Sequence, residues 1–171
     1  EKCMDPREKI VFVDTDGAGL DLEAIRGTSV SNATESDICV QVLGKFIQGK
    51  KIPPECIGIM SVYNMQVSLL QQRVRGEYSK GGASGGAIEV HTVDKFQGRD
   101  KSIIIISFVR SNSRLDCGTL LLDWRRVNVA LTRAKHKLIL VGSSSTLASV
   151  PIFDAMLKAL GRKGCLAPYK R

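Results

Sequence analysis

The chain has 171 residues, of which 43% are hydrophobic and 25% are charged, a composition that supports one folded domain and excludes a collagen-like or low-complexity protein. Lys and Arg number 25 against 17 Asp and Glu, so the net charge of +8 favours polyanionic partners, although a basic surface that binds nothing has the same composition. No apolar run approaches the roughly 20 residues that a membrane-spanning helix needs, so we expect no membrane partner.

Short runs rich in Val and Ile alternate along the chain with segments of helical periodicity. This pattern is typical of a mainly parallel β-sheet with helices on both faces, so the predicted fold class is α/β. Five strands are predicted: Ile10 to Val13, Ile57 to Val62, Ile88 to Val93, Ser102 to Val109 and Lys137 to Gly142.

Helix signals separate these strands. Thr34, followed three residues later by Asp37, predicts the N-cap of an amphipathic helix, and Asn64 is predicted to cap the next one. A flexible loop rich in Gly and Ser is predicted over residues 78–87. Two further helices are predicted, Leu120 to Lys135, which ends in a basic turn, and Phe153 to Leu160.

The polar stretch VHTVDKFQGRDKS, Val90 to Ser102, joins two predicted strands. Parallel sheets bind ligands at the carboxyl ends of their strands, and this stretch begins where one strand ends. Gly98 would let the backbone approach a ligand closely, and Asp100 could accept hydrogen bonds from ribose hydroxyls. The alternative is a solvated loop in which Gly98 lies in a turn and Asp100 pairs with Lys101.

The stretch DWRRVNVALTRAKHK, Asp123 to Lys137, has an apolar face that would pack on the sheet and leave Arg133 near the strand ends. Arginine presents a planar fork of donors that suits phosphate oxygens and the charge on a phosphoryl group in transfer. The alternative is that Arg125, Arg126 and Arg133 line a solvated helix face.

Together, TVDKFQGRDKSIIIISFVRSN, Thr92 to Asn112, and DWRRVNVALTRAKHKLILVG, Asp123 to Gly142, resemble motifs V and VI of superfamily 1 helicases of the Upf-like subgroup. Ile57 to Val74 is similar to the strand and helix that precede motif V. Within the subgroup, the chain looks closest to the eukaryotic DNA replication helicase/nuclease family. The resemblance covers residues 10–145 and implies a RecA-like P-loop NTPase fold. The whole chain, 1–171, is then a single second RecA-like domain, with motif V near 90–107 and motif VI near 123–142.

The resemblance also implies roles for individual residues. Arg133 matches the arginine finger that reaches the γ-phosphate of ATP bound by a partner domain, and is the implied catalytic residue. Gly98, Arg99 and Asp100 match nucleotide contacts, with Asp100 facing the ribose where the subgroup has the longer Glu. Nucleic-acid contacts are implied for four residues, Tyr63, His91, Thr92 and Gln97.

Several aromatic and polar residues keep a packing alternative. Tyr63 and Gln66 lie where family members approach the cleft or nucleic acid, yet Tyr63 is equally suited to packing at the rim. Trp124 could stack a base. We expect it instead to pack against the sheet, and we expect His136 to cap the C-terminus of the same predicted helix.

As a whole, the resemblance implies the C-terminal motor domain of an ATP-dependent 5′-to-3′ DNA helicase/nuclease that acts in replication, flap processing and repair, in the nucleus and also the mitochondrion. Its implied partners are single-stranded DNA and the first RecA-like domain. The sequence has no GxxxxGK[ST] motif, so that first domain would hold most of the ATP and Mg²⁺. An iron–sulfur cluster would belong to a nuclease domain, since the five cysteines here have no metal-ligand spacing.

We therefore expect the isolated chain to be inactive. Two alternatives remain open: an Upf-like RNA helicase domain of RNA decay or splicing, with RNA as the partner, and a non-catalytic RecA-like binding module.

Overall fold

A computed structural model describes residues 2–78 and 88–169. Its main sheet contains β1 (Ile10–Asp14), β4 (Ile57–Ser61), β5 (Glu89–Thr92), β6 (Lys101–Ser107), β7 (Ala134–Gly142) and β8 (Leu166–Pro168). These six strands lie in the order β5-β4-β6-β7-β1-β8, and every neighbouring pair is parallel. A separate antiparallel hairpin is formed by β2 (Glu23–Arg26) and β3 (Ser29–Asn32).

In the part of the chain that the structure describes, six α-helices surround the sheet: α1 (Ala33–Gly44), α2 (Asn64–Tyr78), α3 (Gly118–Leu122), α4 (Trp124–Leu131), α5 (Ser144–Leu147) and α6 (Pro151–Arg162). A π-helical segment, Lys45–Gly49, directly continues α1. Within the described ranges, no helix has both the length and the apolar content needed to cross a bilayer.

The core lies on both faces of the main sheet because successive strand residues point to opposite sides. On one face, Ile103 and Ile105 pack with apolar residues of α1 and α2. On the other face, Ile104 and Ile106 pack with residues of α4 and α6. This arrangement explains the uninterrupted isoleucine run in β6, and it confirms the predicted α/β fold of the RecA-like type.

All five predicted strands are present, with differences at their ends. β7 begins earlier than predicted, at Ala134, and β6 ends at Ser107, before the predicted end at Val109. The predicted N-cap at Thr34 is wrong, because Asn32 Oδ1 accepts the hydrogen bond from the Glu35 amide at 3.0 Å. Asn64 is the first residue of its helix rather than the cap before it.

The predicted helix from Leu120 to Lys135 is also wrong. Two short helices replace it, because Asp123 adopts a non-helical backbone and accepts hydrogen bonds from the amides of Arg125 and Arg126, which caps α4. Arg133 lies between α4 and β7, and the basic residues that follow it lie in β7. The last predicted helix is confirmed and is longer at both ends.

Three features were not predicted, namely the β2–β3 hairpin, the three-residue β8 and the four-residue α5. Their short lengths leave too little periodicity to recognise. The predicted flexible loop at 78–87 lies, apart from Tyr78 at the end of α2, outside the described residues.

Candidate functional site

The eight residues between β5 and β6, residues 93–100, return the chain from the carboxyl edge of the sheet to its amino edge. Phe96, in the middle of this crossover, is fully buried. A Cβ on Gly58 of β4 would lie only 2.6 Å from Phe96 Cζ, so the crossover runs directly over the sheet. Gly98 and Asp100 therefore lie at the amino edge, and the expectation that these two residues face a ligand at the carboxyl edge is wrong.

Arg133 lies at the same amino edge because it immediately precedes β7. Lys101 and Ala134 are opposite each other in the β6–β7 ladder, and the Lys101 amide donates to the Arg133 carbonyl at 3.1 Å. This register brings the side chains just outside the two strands together, with Arg133 Nη1 3.0 Å from Asp100 Oδ1. The structure thus joins two predicted site residues that are 33 positions apart in sequence.

Both members of this pair remain accessible to solvent, with side-chain exposures of 24% for Arg133 and 47% for Asp100. The alternative pairing of Asp100 with Lys101 is wrong, because Lys101 Nζ lies 2.8 Å from Glu89 Oε1 instead. The amino edge therefore presents one carboxylate and one guanidinium side by side, the two groups that the sequence assigned to a nucleotide.

Gly98 and Arg99 complete this edge. Gly98 has φ +79°, a conformation that favours glycine, and its position has open space around it. Arg99 Nη1 lies 3.2 Å from Glu89 Oε2. Hydrogen bonds from Lys101 first, and then from Arg99, lower the pKa of Glu89. Gln97 is exposed at the same turn, so these residues form one polar, accessible strip.

The chain has no complete phosphate-binding loop motif. The nearest match to a phosphate-binding loop pattern is GKFIQGKK, from Gly44 to Lys51. It lacks the final Ser or Thr, and its residues through Gly49 are helical rather than in a loop. Among the described residues, no group of three or more His, Cys, Asp or Glu side chains is arranged to hold a metal ion.

His91 and Thr92 lie at the opposite, carboxyl edge, at the end of β5, and both are half-buried. The His91 ring lies 5.9 Å from the ring of Phe96. Tyr63 also lies at this edge, following β4, but only 5% of it is exposed, and burial raises the pKa of its hydroxyl. Its packing with Val30 and Val109 favours the packing alternative for Tyr63. Nucleic-acid contact by these residues stays a prediction.

Gln66 is fully buried and has a structural role. Its side chain accepts from the Asn32 amide at 2.8 Å and donates to the Asn32 carbonyl at 3.0 Å and to Ser107 Oγ at 2.9 Å. These bonds tie the start of α1 to the end of β6. In this conformation Gln66 is inaccessible to nucleic acid.

Glu35 is a fully buried carboxylic acid under the carboxyl edge and was not predicted from the sequence. Its Oε2 accepts hydrogen bonds from Ser107 Oγ at 2.6 Å and from the Val109 amide at 2.8 Å. Val109 has φ +74°, which is strained for a β-branched residue. Burial raises the pKa of Glu35 to about 8. The capping pattern of Asn32 followed by Glu35 was a signal that could have marked this residue.

Arg110 forms a second unpredicted group at the carboxyl edge. It is 7% exposed, with Nε 3.0 Å from Glu23 Oε2 and Nη2 3.2 Å from Asp116 Oδ2. Gly118 makes room for it, because a Cβ there would lie 1.9 Å from Arg110 Nη1. The buried carboxylate of Glu23 comes from the β2–β3 hairpin, which the sequence did not predict.

Trp124 is 55% exposed at the start of α4, so the expectation that it packs against the sheet is wrong. Val127 and Ala130 provide the buried face of α4, whereas Trp124 is the first residue of the helix and is exposed together with Arg125. The base-stacking alternative remains open for Trp124. His136 is exposed within β7 and caps no helix, because α4 ends five residues earlier.

Comparison with known proteins places the chain in a family. The family model described as AAA domain matches residues 1–145. The chain is 42% identical over 93% of its length to the DNA replication ATP-dependent helicase/nuclease dna2 of Schizosaccharomyces pombe, covering 11% of that protein. It is 41% identical over 94% of its length to DNA2 of Saccharomyces cerevisiae, covering 10%, and 40% identical over 92% to human DNA2, covering 14%.

The chain thus spans between 10% and 14% of the length of these relatives. Their printed names describe ATP-dependent helicase/nucleases of DNA replication, which agrees with the resemblance seen in the stretches around Gly98 and Arg133. With its six-stranded parallel sheet and a model match over residues 1–145, the chain belongs to the AAA domain family and is similar to one segment of the DNA replication helicase/nucleases.

Proposed function

We propose that this chain is the C-terminal motor domain of an ATP-dependent 5′-to-3′ DNA helicase/nuclease that acts in DNA replication, flap processing and repair. The observation that carries the proposal is the meeting of Arg133 and Asp100 at the amino edge, with 3.0 Å between Nη1 and Oδ1. Similarity to the replication helicase/nucleases over most of the chain supports it. A first RecA-like domain would hold ATP and Mg²⁺, and a nuclease domain any iron–sulfur cluster. A nuclear location, with a second in mitochondria, belongs to the same proposal.

In this function, Arg133 stabilises the negative charge that spreads over the γ-phosphoryl group during hydrolysis. Arginine suits this role because it stays charged and presents donors in a fixed plane. Asp100 accepts hydrogen bonds from the ribose hydroxyls, and the open backbone at Gly98 allows close approach. The other domain supplies the phosphate loop, so closure of the two domains assembles the complete site.

The test of this assignment is Arg133→Ala in the full-length enzyme. ATP turnover should fall by a factor of about 1,000 or more, with nucleotide binding largely retained, because the arginine acts mainly on the transition state. Arg162→Ala is the matched control: this arginine is exposed in the last turn of α6, which leads into β8, two strands away from β7 in the sheet. Normal turnover in the Arg133 variant refutes the assignment.

We propose that single-stranded DNA crosses the carboxyl edge, on the opposite side of the sheet from the nucleotide. The net charge of +8 supports a polyanionic partner. His91 and Thr92 are half-buried there, and Gln97 lies on the crossover that leads from this edge to the nucleotide edge. Exposed Trp124 offers a stacking surface, and contacts to phosphates and base faces imply weak sequence preference.

Trp124 is the single tryptophan of the chain, so its fluorescence reports one site. Titration of the 171-residue chain with oligothymidylate should quench this fluorescence, whereas an abasic strand of equal length should quench it far less. Trp124→Ala should weaken binding, measured by anisotropy of a labelled strand, by about 1–3 kcal/mol. Equal affinity of the variant argues against stacking, and tighter binding of oligouridylate favours the RNA motor.

A further inference from the structure

The guanidinium of Arg133 contacts hydrogen-bond acceptors of its own domain. Nη1 lies 3.0 Å from Asp100 Oδ1, Nε donates to the Val129 carbonyl at 3.2 Å, and Nη2 lies 3.5 Å from Thr132 Oγ1. All three nitrogen atoms therefore face protein oxygens. To present its fork of donors to a phosphate, Arg133 has to leave at least the carboxylate of Asp100.

Asp100 likewise has to leave Arg133 before it can bind its proposed ligand. Its proposed ligand, the ribose, lies at the opposite end of the triphosphate from the γ-phosphoryl group that Arg133 is proposed to contact. In an extended ATP molecule the carboxylate and the guanidinium cannot serve these two groups while they remain 3.0 Å apart. The ion pair and the nucleotide-bound arrangement thus exclude each other.

We propose that Asp100 is a positioning residue that holds Arg133 in an inactive orientation until ribose hydroxyls engage its carboxylate. Recognition of the sugar then releases the arginine toward the phosphates. This inference rests on the proposed function, and it adds that the residue that recognises the sugar also controls when the catalytic arginine is available.

We call the Asp100–Arg133 ion pair the latch. Because both side chains are partly exposed, this ion pair breaks easily. With 24% and 47% of the two side chains exposed, solvent screens the attraction. Ion pairs of this kind change an equilibrium constant by up to about fivefold. Charge-assisted hydrogen bonds to phosphate replace the one that Arg133 gives up, so release costs little once nucleotide is present.

The test uses the full-length enzyme with Asp100→Asn and two probes, ATP and inorganic tripolyphosphate, each with Mg²⁺, in isothermal titration calorimetry. Asn removes the charge that holds Arg133, and it also weakens the contact to the ribose. Tripolyphosphate has no ribose, so its affinity should rise by up to about fivefold, the full value of the ion pair. ATP affinity should fall in the same variant.

The second arm removes the other partner. Arg133→Gln frees the carboxylate, so adenosine, which has no phosphate, should bind more tightly to this variant than to the wild-type enzyme. In the Arg133→Gln background, Asp100→Asn should no longer change tripolyphosphate affinity, because no latch remains. This double variant separates the latch from any general effect of the Asn substitution.

Two results overturn the latch. One is an unchanged tripolyphosphate affinity in Asp100→Asn, and the other is an equal loss of affinity for both probes, which indicates a purely structural ion pair. Either result can occur while Arg133→Ala still abolishes ATP turnover, and then the proposed function stands and only the latch fails. Normal ATP turnover in Arg133→Ala refutes both the proposed function and the latch.

Discussion

Glu35 offers a direct test of how the carboxyl edge is held together. Its side chain is fully buried, and burial raises its pKa from 4.5 to about 8. Between these two values the folded protein keeps a proton on Glu35 that the unfolded chain has lost. The stability contributed in this way is fully present below pH 4.5, declines as pH rises, and is lost as pH passes through 8.

The interval of 4.5 to 8 corresponds to about 5 kcal/mol of unfolding free energy as an upper value, at about 1.4 kcal/mol per pH unit. The assay is urea unfolding of the 171-residue chain at several values between pH 5 and pH 8. The wild-type protein should lose stability across this range, by an amount large relative to the net stability of a typical domain.

Glu35→Gln is the matched variant, because glutamine keeps an oxygen that can accept from Ser107 Oγ and the Val109 amide but does not titrate. Its unfolding free energy should lack the decline attributed to Glu35. All other residues are common to both proteins, so the difference between the two curves isolates Glu35. Parallel curves across the whole range refute the claim that Glu35 is protonated in the folded protein.

Two further predictions concern glycine positions of the backbone. Gly98→Ala should destabilise the domain by about 1 kcal/mol in urea unfolding, because φ +79° is unfavourable for alanine. The control Gly76→Ala lies inside α2 with open space around it, and it should stabilise the domain by up to about 1 kcal/mol. Equal effects of the two substitutions contradict this reasoning. Gly118→Ala should cost more than Gly98→Ala, since its Cβ would also displace Arg110 from Glu23, and a smaller loss contradicts the close approach.

Local patterns predicted the strands of the main sheet well. The run of four isoleucines from Ile103 to Ile106 is buried on both faces of a parallel sheet, and such burial leaves a recognisable apolar run. Strand order, however, has no local signal. Residues 93–100 cross the sheet without an α-helix, so the stretch after β5 appeared to lie at the carboxyl edge, although Asp100 returns to the amino edge.

The errors at α4 have a similar cause. Helical periodicity continues across Asp123 and past Leu131, but the Asp123 side chain caps a new helix, and the β6–β7 pairing draws Ala134 into a strand. This long-range pairing overrides the local helical preference. Glu35 was missed because Ser107 and Val109, its hydrogen-bond partners, are more than 70 positions away in sequence. Distant contacts of this kind define most of the carboxyl edge.

β6 and β7 connect the two proposed binding edges directly. At the amino edge, the Lys101 amide donates to the Arg133 carbonyl, and at the carboxyl edge the Phe108 amide donates to the Val141 carbonyl at 3.0 Å. The seven residues of β6 span about 20 Å between these ends. A close-packed parallel sheet deforms little, so a displacement of the backbone at Arg133 moves the carboxyl edge as part of the same rigid body.

In the proposed motor, nucleotide-driven closure at the amino edge therefore shifts the single-strand surface without any rearrangement of the core. The conformational freedom that the mechanism needs is confined to side chains at the edges. The Asp100–Arg133 pair at the nucleotide edge meets this requirement, because both side chains are partly exposed and neither belongs to the packed core. Its release changes which groups face the nucleotide while the strands that carry the motion stay intact.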